Sequence, residues 1–213
     1  SPRKTNAAFT AMDQMLRWFP DSPMTERIEF EKMKLNLRAL PDGEAVSRLQ
    51  SISRDHISYV DVLYDLVKRQ YRVWLSAATP RDRPDQAAFD NLAQWEREYR
   101  IHPDSAVDRR LRAMLLVIDA QLRRNTADES LAVKELLEVA TRFANQLGNT
   151  TSRLYLEYKY YNFLFAERHG LPDAEVLANW LLGHARDTRY ENSSLVFLAQ
   201  QSKQRMTNQQ TTA

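Results

Sequence analysis

The side chains that could carry chemistry are few in this chain. Its four histidines, His56, His102, His169 and His184, are spread along the sequence, and no two of them have the spacing of a helical metal-ligand pair. Cysteine is absent, which excludes disulfides, thiolate chemistry and cysteine zinc sites. The sequence also has no phosphate-binding glycine loop and no nucleophile elbow. We therefore expect no catalytic residue, no bound metal and no cofactor.

One spacing suggests a different chemistry. Arg97 and His102 form an R-x-x-x-x-H pattern. The pattern resembles the motif of the HEPN helical ribonucleases, in which the paired Arg and His act on the RNA phosphate and 2′-hydroxyl. The resemblance implies a helical ribonuclease or an RNA-binding domain as the alternative function. Pro103 directly follows His102 and ends the helix, so we expect His102 to have a structural place at a helix junction.

The segment 154–165 holds the densest group of aromatic side chains. An inward helical stripe is predicted from four residues at steps of 4, 3 and 4: Leu154, Tyr158, Tyr161 and Phe165. The flank beside this stripe is more polar and carries Tyr155, Lys159 and Asn162. Because Tyr has an apolar ring, a polar tip and few rotatable bonds, such a flank is typical of a binding hot spot. Tyr155, Lys159 and Asn162 are the predicted partner-binding residues; the alternative is that the whole helix is core.

The charge balance argues against a strong general attraction to nucleic acid or anionic membranes. The chain has 30 basic and 28 acidic side chains, for a formal net charge of +2. Arg greatly outnumbers Lys, which is typical of a GC-rich coding sequence. We therefore expect the partner to be another protein and not a nucleic acid.

Helix signals recur along the whole sequence. Five of the eight prolines precede Asp, and a Pro-Asp pair ends one helix while Asp or a following Ser can cap the next. Apolar residues recur with helical spacing, as in one stripe that contains Ile57, Val60, Tyr64, Val67, Tyr71 and Trp74. No sustained alternation indicates a strand. The sequence predicts an all-α fold of about nine or ten short antiparallel helices, in a helical-hairpin array or bundle.

Several helix ends are predicted from specific residues. Ser22 is expected to cap the second helix, and Thr126 with Glu129 form a capping box for the seventh. Gly148 and Gly170 are expected to end the seventh and eighth helices, because glycine tolerates the left-handed backbone there. The predicted order closes with helices at about 172–185 and 191–206.

Two turns share the motif Pro-Asp-Ser, one beginning at Pro20 and one at Pro103. The sequences around them, 18–23 and 99–105, resemble the turn between units in tetratricopeptide-like proteins. The resemblance implies a weak helical repeat, with a tetratricopeptide-like right-handed solenoid as one arrangement of the hairpins.

The domain organisation is predicted from the best linker, Pro80 to Pro84. We expect a single helical domain over 1–213, with two packed halves, 6–79 and 84–206, as the alternative, and a frayed polar tail at 207–213. No apolar run approaches the roughly 18 residues of a bilayer span, and no signal peptide is visible. Because the chain begins with Ser1, we expect an excised or processed piece whose parent protein can carry an anchor. A soluble compartment is expected, with the cytoplasm favoured over the periplasm.

These observations together predict a non-enzymatic helical protein–protein interaction module or scaffold, of the kind found among bacterial accessory or assembly factors. The ribonuclease or RNA-binding interpretation of Arg97 and His102 is the alternative.

Overall fold

The computed structural model describes residues 2–77, 86–124, 129–186 and 188–211. Within these ranges it contains ten α-helices and no strand, which confirms the predicted all-α class. The helices are α1 (Pro2–Trp18), α2 (Thr25–Leu37), α3 (Asp42–Gln50), α4 (Tyr59–Ala77), α5 (Gln86–Ile101), α6 (Val107–Arg124), α7 (Glu129–Gln146), α8 (Arg153–Arg168), α9 (Asp173–His184) and α10 (Arg189–Thr211). Among the described helices, none is both long enough and apolar enough to cross a bilayer.

The chain folds into two compact units, Ser1–Ser105 and Ala106–Ala213. The first unit contains α1 to α5, and the second contains α6 to α10. The segment 80–84 lies outside the described residues, so the linker and the halves on either side of it stay a prediction. In the tail at 207–213, the residues up to Thr211 continue α10.

The core of the first unit forms where α4 packs against α3 on one side and α5 on the other. The buried apolar residues of α4 are Val62, Leu63, Leu66, Val67 and Trp74. This face differs from the predicted stripe at its start. Ile57 precedes the helix and is 59% exposed. A helix between two neighbours must bury two sides, which moves the centre of its apolar face away from a single stripe.

A carboxylate ties the start of α3 to α4. Asp42 Oδ1 accepts hydrogen bonds from Arg69 Nη1 and Arg72 Nη2, and Asp42 Oδ2 accepts one from Arg72 Nε, all at 2.9 Å. Arg69 also donates from Nη2 to the Leu37 carbonyl oxygen at 2.9 Å, at the end of α2. The two guanidiniums therefore join α2, α3 and α4 through one acidic side chain. The hydrogen bond from Arg72 holds the pKa of Asp42 below its ordinary value, against the opposing effect of burial.

A second acid of the first unit is almost completely buried. Glu96 in α5 is 2% exposed, and its Oε1 accepts a hydrogen bond from Arg100 Nε at 2.8 Å. Burial raises the pKa of Glu96, although the Arg100 guanidinium acts in the opposite direction. The pair lies one helical turn apart, so α5 satisfies its own buried charge.

The second unit has two apolar clusters, and α8 contributes to both. Side chains of α6, α7 and α8 form the first cluster, including Met114, Leu137 and Tyr158. The second contains Phe163 of α8 with Ala178 of α9 and Phe197 of α10, among others. The aromatic helix therefore packs against α6 and α7 through one cluster and against α9 and α10 through the other.

The predicted helix ends can be compared with the structure at three positions. Gly148 and Gly170 have φ values of 65° and 61°, in the left-handed region that glycine adopts without strain, as predicted. Ser22 does not cap α2 directly. Its hydroxyl oxygen accepts from the Met24 backbone N–H at 3.2 Å, and the helix begins at Thr25 after this turn. Pro23 lies in this turn, before the first residue of the helix. Thr126 of the predicted capping box lies outside the described residues.

The α4 core generates the first prediction. Val67 is completely buried, so Val67→Asp places an unpaired carboxylate in the interior and should lower the free energy of unfolding by at least ~3 kcal/mol. Urea unfolding followed by circular dichroism measures the change. Val176→Asp is the matched control, because Val176 is 68% exposed and should tolerate the carboxylate. Equal stability of the two variants would contradict the assignment of Val67 to the core.

The Asp42 clamp predicts a pH dependence. A carboxylate whose folded pKa lies below its ordinary value of 3.8 stabilises the fold above that pH, and the stabilisation is lost as the pH falls through the folded pKa. Asp42→Asn should therefore be less stable than the parent chain at pH 7, and the difference should shrink on acidification. Urea unfolding of both proteins across the acidic range measures it. Asp104→Asn, at an exposed position, is the control; a pH-independent difference for Asp42→Asn would argue against an electrostatic clamp.

Candidate functional site

The predicted partner-binding residues lie on α8, whose start is set by Ser152. The Ser152 hydroxyl oxygen accepts a hydrogen bond from the Tyr155 backbone N–H at 3.2 Å, as an N-cap residue does. This cap places Tyr155 in the first turn of α8, and Lys159 follows one turn later on the same side. Tyr155, Lys159 and Asn162 are all half-buried, so each has part of its surface in the fold and part in solvent.

The ammonium of Lys159 lies over three aromatic rings. Its Nζ is 5.6 Å from the ring centroid of Tyr155 and 5.7 Å from those of Tyr158 and Trp180. These separations are within the roughly 6 Å over which a cation is attracted to the face of a ring. The Tyr155 and Trp180 rings also meet edge to face, with centroids 5.9 Å apart. The cation and the rings therefore join α8 to α9.

A histidine extends this group at the end of α9. The His184 imidazole stacks on the Trp180 indole, with ring centroids 4.2 Å apart and planes inclined by only 9°. His184 Nδ1 is 2.8 Å from the Trp180 carbonyl oxygen, which holds the ring over the indole. Together, Tyr155, Lys159, Trp180 and His184 form a surface that we call the α8–α9 aromatic face.

In the described part of the chain, two polar groups of the α8–α9 aromatic face lack a hydrogen-bond or ion-pair partner. Within the described ranges, the Tyr155 hydroxyl makes no hydrogen bond and the Lys159 ammonium forms no ion pair. The neighbouring Tyr158 behaves differently, because its hydroxyl is 2.7 Å from Thr141 Oγ1. The face thus presents a hydroxyl and a cation that can still bind an external group.

Asn162 has a different environment from the other two predicted residues. Its Nδ2 donates to the Tyr158 carbonyl oxygen at 2.9 Å, one turn earlier in α8. The amide is therefore engaged with the backbone of its own helix. The structure brings Tyr155 and Lys159 together with Trp180, whereas Asn162 borders this group and contributes its remaining polar surface.

The inward stripe beside this flank is mostly as predicted. Leu154, Tyr158 and Tyr161 are buried, while Phe165 is half-buried and contacts the tilted His169 ring, with ring centroids 4.5 Å apart. Tyr161 donates from its hydroxyl to Asp119 Oδ1 of α6 at 3.0 Å. The buried part of the stripe, Leu154 to Tyr161, is thus core.

Sequence reasoning missed Trp180 and His184 as members of the site. The two residues are four apart on α9, so their spacing already indicates that they share a side of that helix. The sequence alone does not say that this side meets Lys159, since that contact depends on how α9 turns back along α8 after Gly170.

The residues of the ribonuclease-like pattern are at the end of α5. Arg97 is exposed, whereas His102 is half-buried in the turn that follows the helix. His102 Nδ1 accepts from the Asp104 backbone N–H at 3.3 Å, and its ring centroid is 6.5 Å from that of Tyr59. The imidazole thus has a place in the structure of the turn, as the sequence predicts.

A polar cluster adjoins this turn. Glu98 Oε1 accepts a hydrogen bond from the Tyr59 hydroxyl at 3.0 Å and lies 3.1 Å from Arg54 Nη2. Burial raises the pKa of the Tyr59 phenol, and the Glu98 carboxylate raises it further. The cluster links the start of α4 to the end of α5, and each of its charges has a partner, so we assign it a structural role.

In the part of the chain that the structure describes, no group of three or more His, Asp or Glu residues is arranged to hold a metal ion.

Comparison with known proteins adds no further indication of function. No protein-family model matches the sequence, and no curated protein or solved structure is significantly similar to it.

Proposed function

We propose that this chain is a non-enzymatic helical protein–protein interaction module, and that the α8–α9 aromatic face is its partner-binding surface. The observation that supports the proposal most directly is the Lys159 ammonium held over the rings of Tyr155 and Trp180 without an ion pair of its own among the described residues. Trp and Tyr dominate binding hot spots, because they bury large apolar areas and still offer a polar atom.

Preorganisation is the physical advantage of this arrangement. Immobilising a flexible side chain on binding costs about 0.5–1.5 kcal/mol. Lys159 is already confined by three rings, and the Trp180 indole is confined by the His184 stack. A partner that binds here therefore meets side chains whose positions are largely fixed before it arrives.

The positive charge of Lys159 indicates the chemistry that we expect of the partner. Lys159 can donate hydrogen bonds to a carboxylate while its side-chain carbons remain against the rings. Val176 lies one turn before Trp180 on α9 and is 68% exposed, which adds an apolar contact on that side. We therefore propose that the partner is a protein that presents an acidic side chain next to an apolar one. Binding such a protein would suit an accessory or assembly factor.

The binding test compares two tyrosines of the same helix. Proteins captured from the native host at about 0.5 M salt would first be identified, and binding of the purified partner would then be measured by calorimetry. Tyr155→Ala should weaken binding by at least ~2 kcal/mol, or about thirtyfold in Kd, with little loss of stability. Tyr158→Ala should mainly destabilise the fold, because Tyr158 is 5% exposed and bonded to Thr141.

Further variants test whether the partner binds the α8–α9 aromatic face or another exposed surface. Trp18 at the end of α1 is 69% exposed and offers a large apolar surface elsewhere. Trp18→Ala should leave the affinity unchanged, whereas Lys159→Gln should weaken binding and reduce its dependence on salt. Loss of binding in Trp18→Ala with no effect of Tyr155→Ala would move the partner site to α1 and overturn the proposal. Equal unfolding of Tyr155→Ala and Tyr158→Ala would show that the flank is only core.

The alternative function is tested at His102. We predict that His102→Ala retains the fold and changes no RNA-cleaving activity, because the imidazole is bonded within its own turn. Purified parent protein, His102→Ala and Arg97→Gln would be incubated with single-stranded RNA, and cleavage would be followed by gel electrophoresis. Cleavage by the parent protein that disappears in His102→Ala, with an unchanged circular dichroism spectrum, would favour the nuclease over the interaction module.

A further inference from the structure

A cavity of about 400 Å³ opens on the side of α8 that faces α10. Its lining combines two cations, three hydroxyl-bearing residues and one apolar side chain: Arg153, Arg189, Thr151, Thr188, Tyr190 and Leu156. The volume falls in the range of about 300–1,000 Å³ that is common for small-molecule sites. The cavity lies on a different side of α8 from the α8–α9 aromatic face, so a ligand site in it is independent of the proposed function.

The two guanidiniums supply the positive charge of the cavity. Arg153 is exposed and forms no ion pair among the described residues. Arg189 is oriented by the rings of Tyr190 and Tyr160, whose centroids are 5.1 and 5.8 Å from its Cζ. Glu157 Oε1 lies 3.9 Å from Arg189 Nη2, a separation too long for a hydrogen bond. A guanidinium has five N–H donors, and an anion can therefore bind Arg189 alongside this weak pair.

The threonine hydroxyls can accept hydrogen bonds from a ligand, whereas the guanidiniums donate them. The Thr151 hydroxyl donates to Asn149 Oδ1 at 2.9 Å, and the Thr188 hydroxyl donates to the Ala185 carbonyl oxygen at 2.5 Å. Because each hydroxyl has only one hydrogen, its oxygen can offer a ligand only acceptor lone pairs, and Thr188 Oγ1 already uses one by accepting from the Glu191 backbone N–H at 3.4 Å. These oxygens suit a ligand that donates hydrogen bonds, such as one with hydroxyl groups of its own.

The combination defines one class of ligand. Two guanidiniums recognise a phosphate group well, since Arg can bind phosphate oxygens through paired N–H donors. The acceptor oxygens beside them suit the hydroxyls of a sugar or polyol, and Leu156 offers a contact for its carbon skeleton. We propose that this cavity binds a phosphorylated sugar or polyol, with the phosphate between Arg153 and Arg189 and the hydroxyls toward Thr151 and Thr188.

Glucose 6-phosphate, glucose and inorganic phosphate are the probes, each titrated by calorimetry into the full chain at low salt. Glucose 6-phosphate should bind more tightly than phosphate, and glucose should not bind. Arg153→Gln and Arg189→Gln should each weaken binding of glucose 6-phosphate at least about tenfold. Arg142→Gln, at an exposed position on α7, is the matched control and should leave the Kd unchanged.

Two further variants keep the result interpretable. Thr151→Val should weaken glucose 6-phosphate but not inorganic phosphate, because it removes an acceptor of the sugar hydroxyls. Glu157→Gln should strengthen binding of both phosphates, since it removes the carboxylate beside Arg189. Circular dichroism would verify that each variant is folded, and Arg189→Lys, which keeps the charge, is the replacement if Arg189→Gln unfolds.

Three outcomes would overturn the proposal. The first is the absence of glucose 6-phosphate binding up to about 10 mM, which corresponds to less than about 3 kcal/mol of binding free energy. The second is binding that Arg142→Gln weakens as much as the two cavity variants do, since that would indicate general attraction to basic side chains. The third is inorganic phosphate binding as tightly as glucose 6-phosphate, which would remove the sugar from the assignment.

Discussion

The second unit depends on one constraint, which is that a buried tyrosine must satisfy its hydroxyl. An unpaired buried hydroxyl costs about 1–3 kcal/mol, a large part of the stability of a small domain. Three tyrosines of α8, the buried Tyr158 and Tyr161 and the half-buried Tyr160, have hydroxyl partners on three different helices. Tyr158 pairs with Thr141 of α7, Tyr161 donates to Asp119 of α6, and the Tyr160 hydroxyl is 3.3 Å from Ser193 Oγ of α10. Each contact fixes the position of one neighbour around α8.

The same constraint explains where α8 remains open to solvent. Tyr155 is the tyrosine of α8 whose hydroxyl lacks a hydrogen bond within the described residues, and it lies at the half-buried border with α9. The Asp119 carboxylate that receives Tyr161 is in turn bonded to Arg123 Nε at 2.6 Å, so the interior charge is neutralised. A helix that fills its own unit in this way has few exposed side chains left, and those on the α9 and α10 sides carry the two candidate sites.

The sequence predicted the fold more completely than the site, for physical reasons that particular residues illustrate. Gly148 and Gly170 were identifiable because a left-handed helix end is a local requirement that glycine meets. Helical periodicity likewise identified Val67 and Tyr158 as core. Ile57 was placed wrongly because periodicity does not show where a helix starts when a turn precedes it. Trp180 and the Arg153–Arg189 cavity depend on which helices become neighbours, and no local pattern contains that information.

The modest free energy of the contacts between the Lys159 ammonium and the rings explains how the ammonium can remain available to the proposed partner. A cation over a partly exposed ring contributes about 0.5–1 kcal/mol, similar to the roughly 0–1 kcal/mol of an exposed ion pair. The rings therefore hold the ammonium without meeting its demand for hydrogen bonds, which solvent supplies. In the proposed complex, a partner carboxylate would replace this solvent and leave the rings in place. The aromatic contacts and the new ion pair then act together, and the ordering of the lysine side chain has already occurred in the free protein.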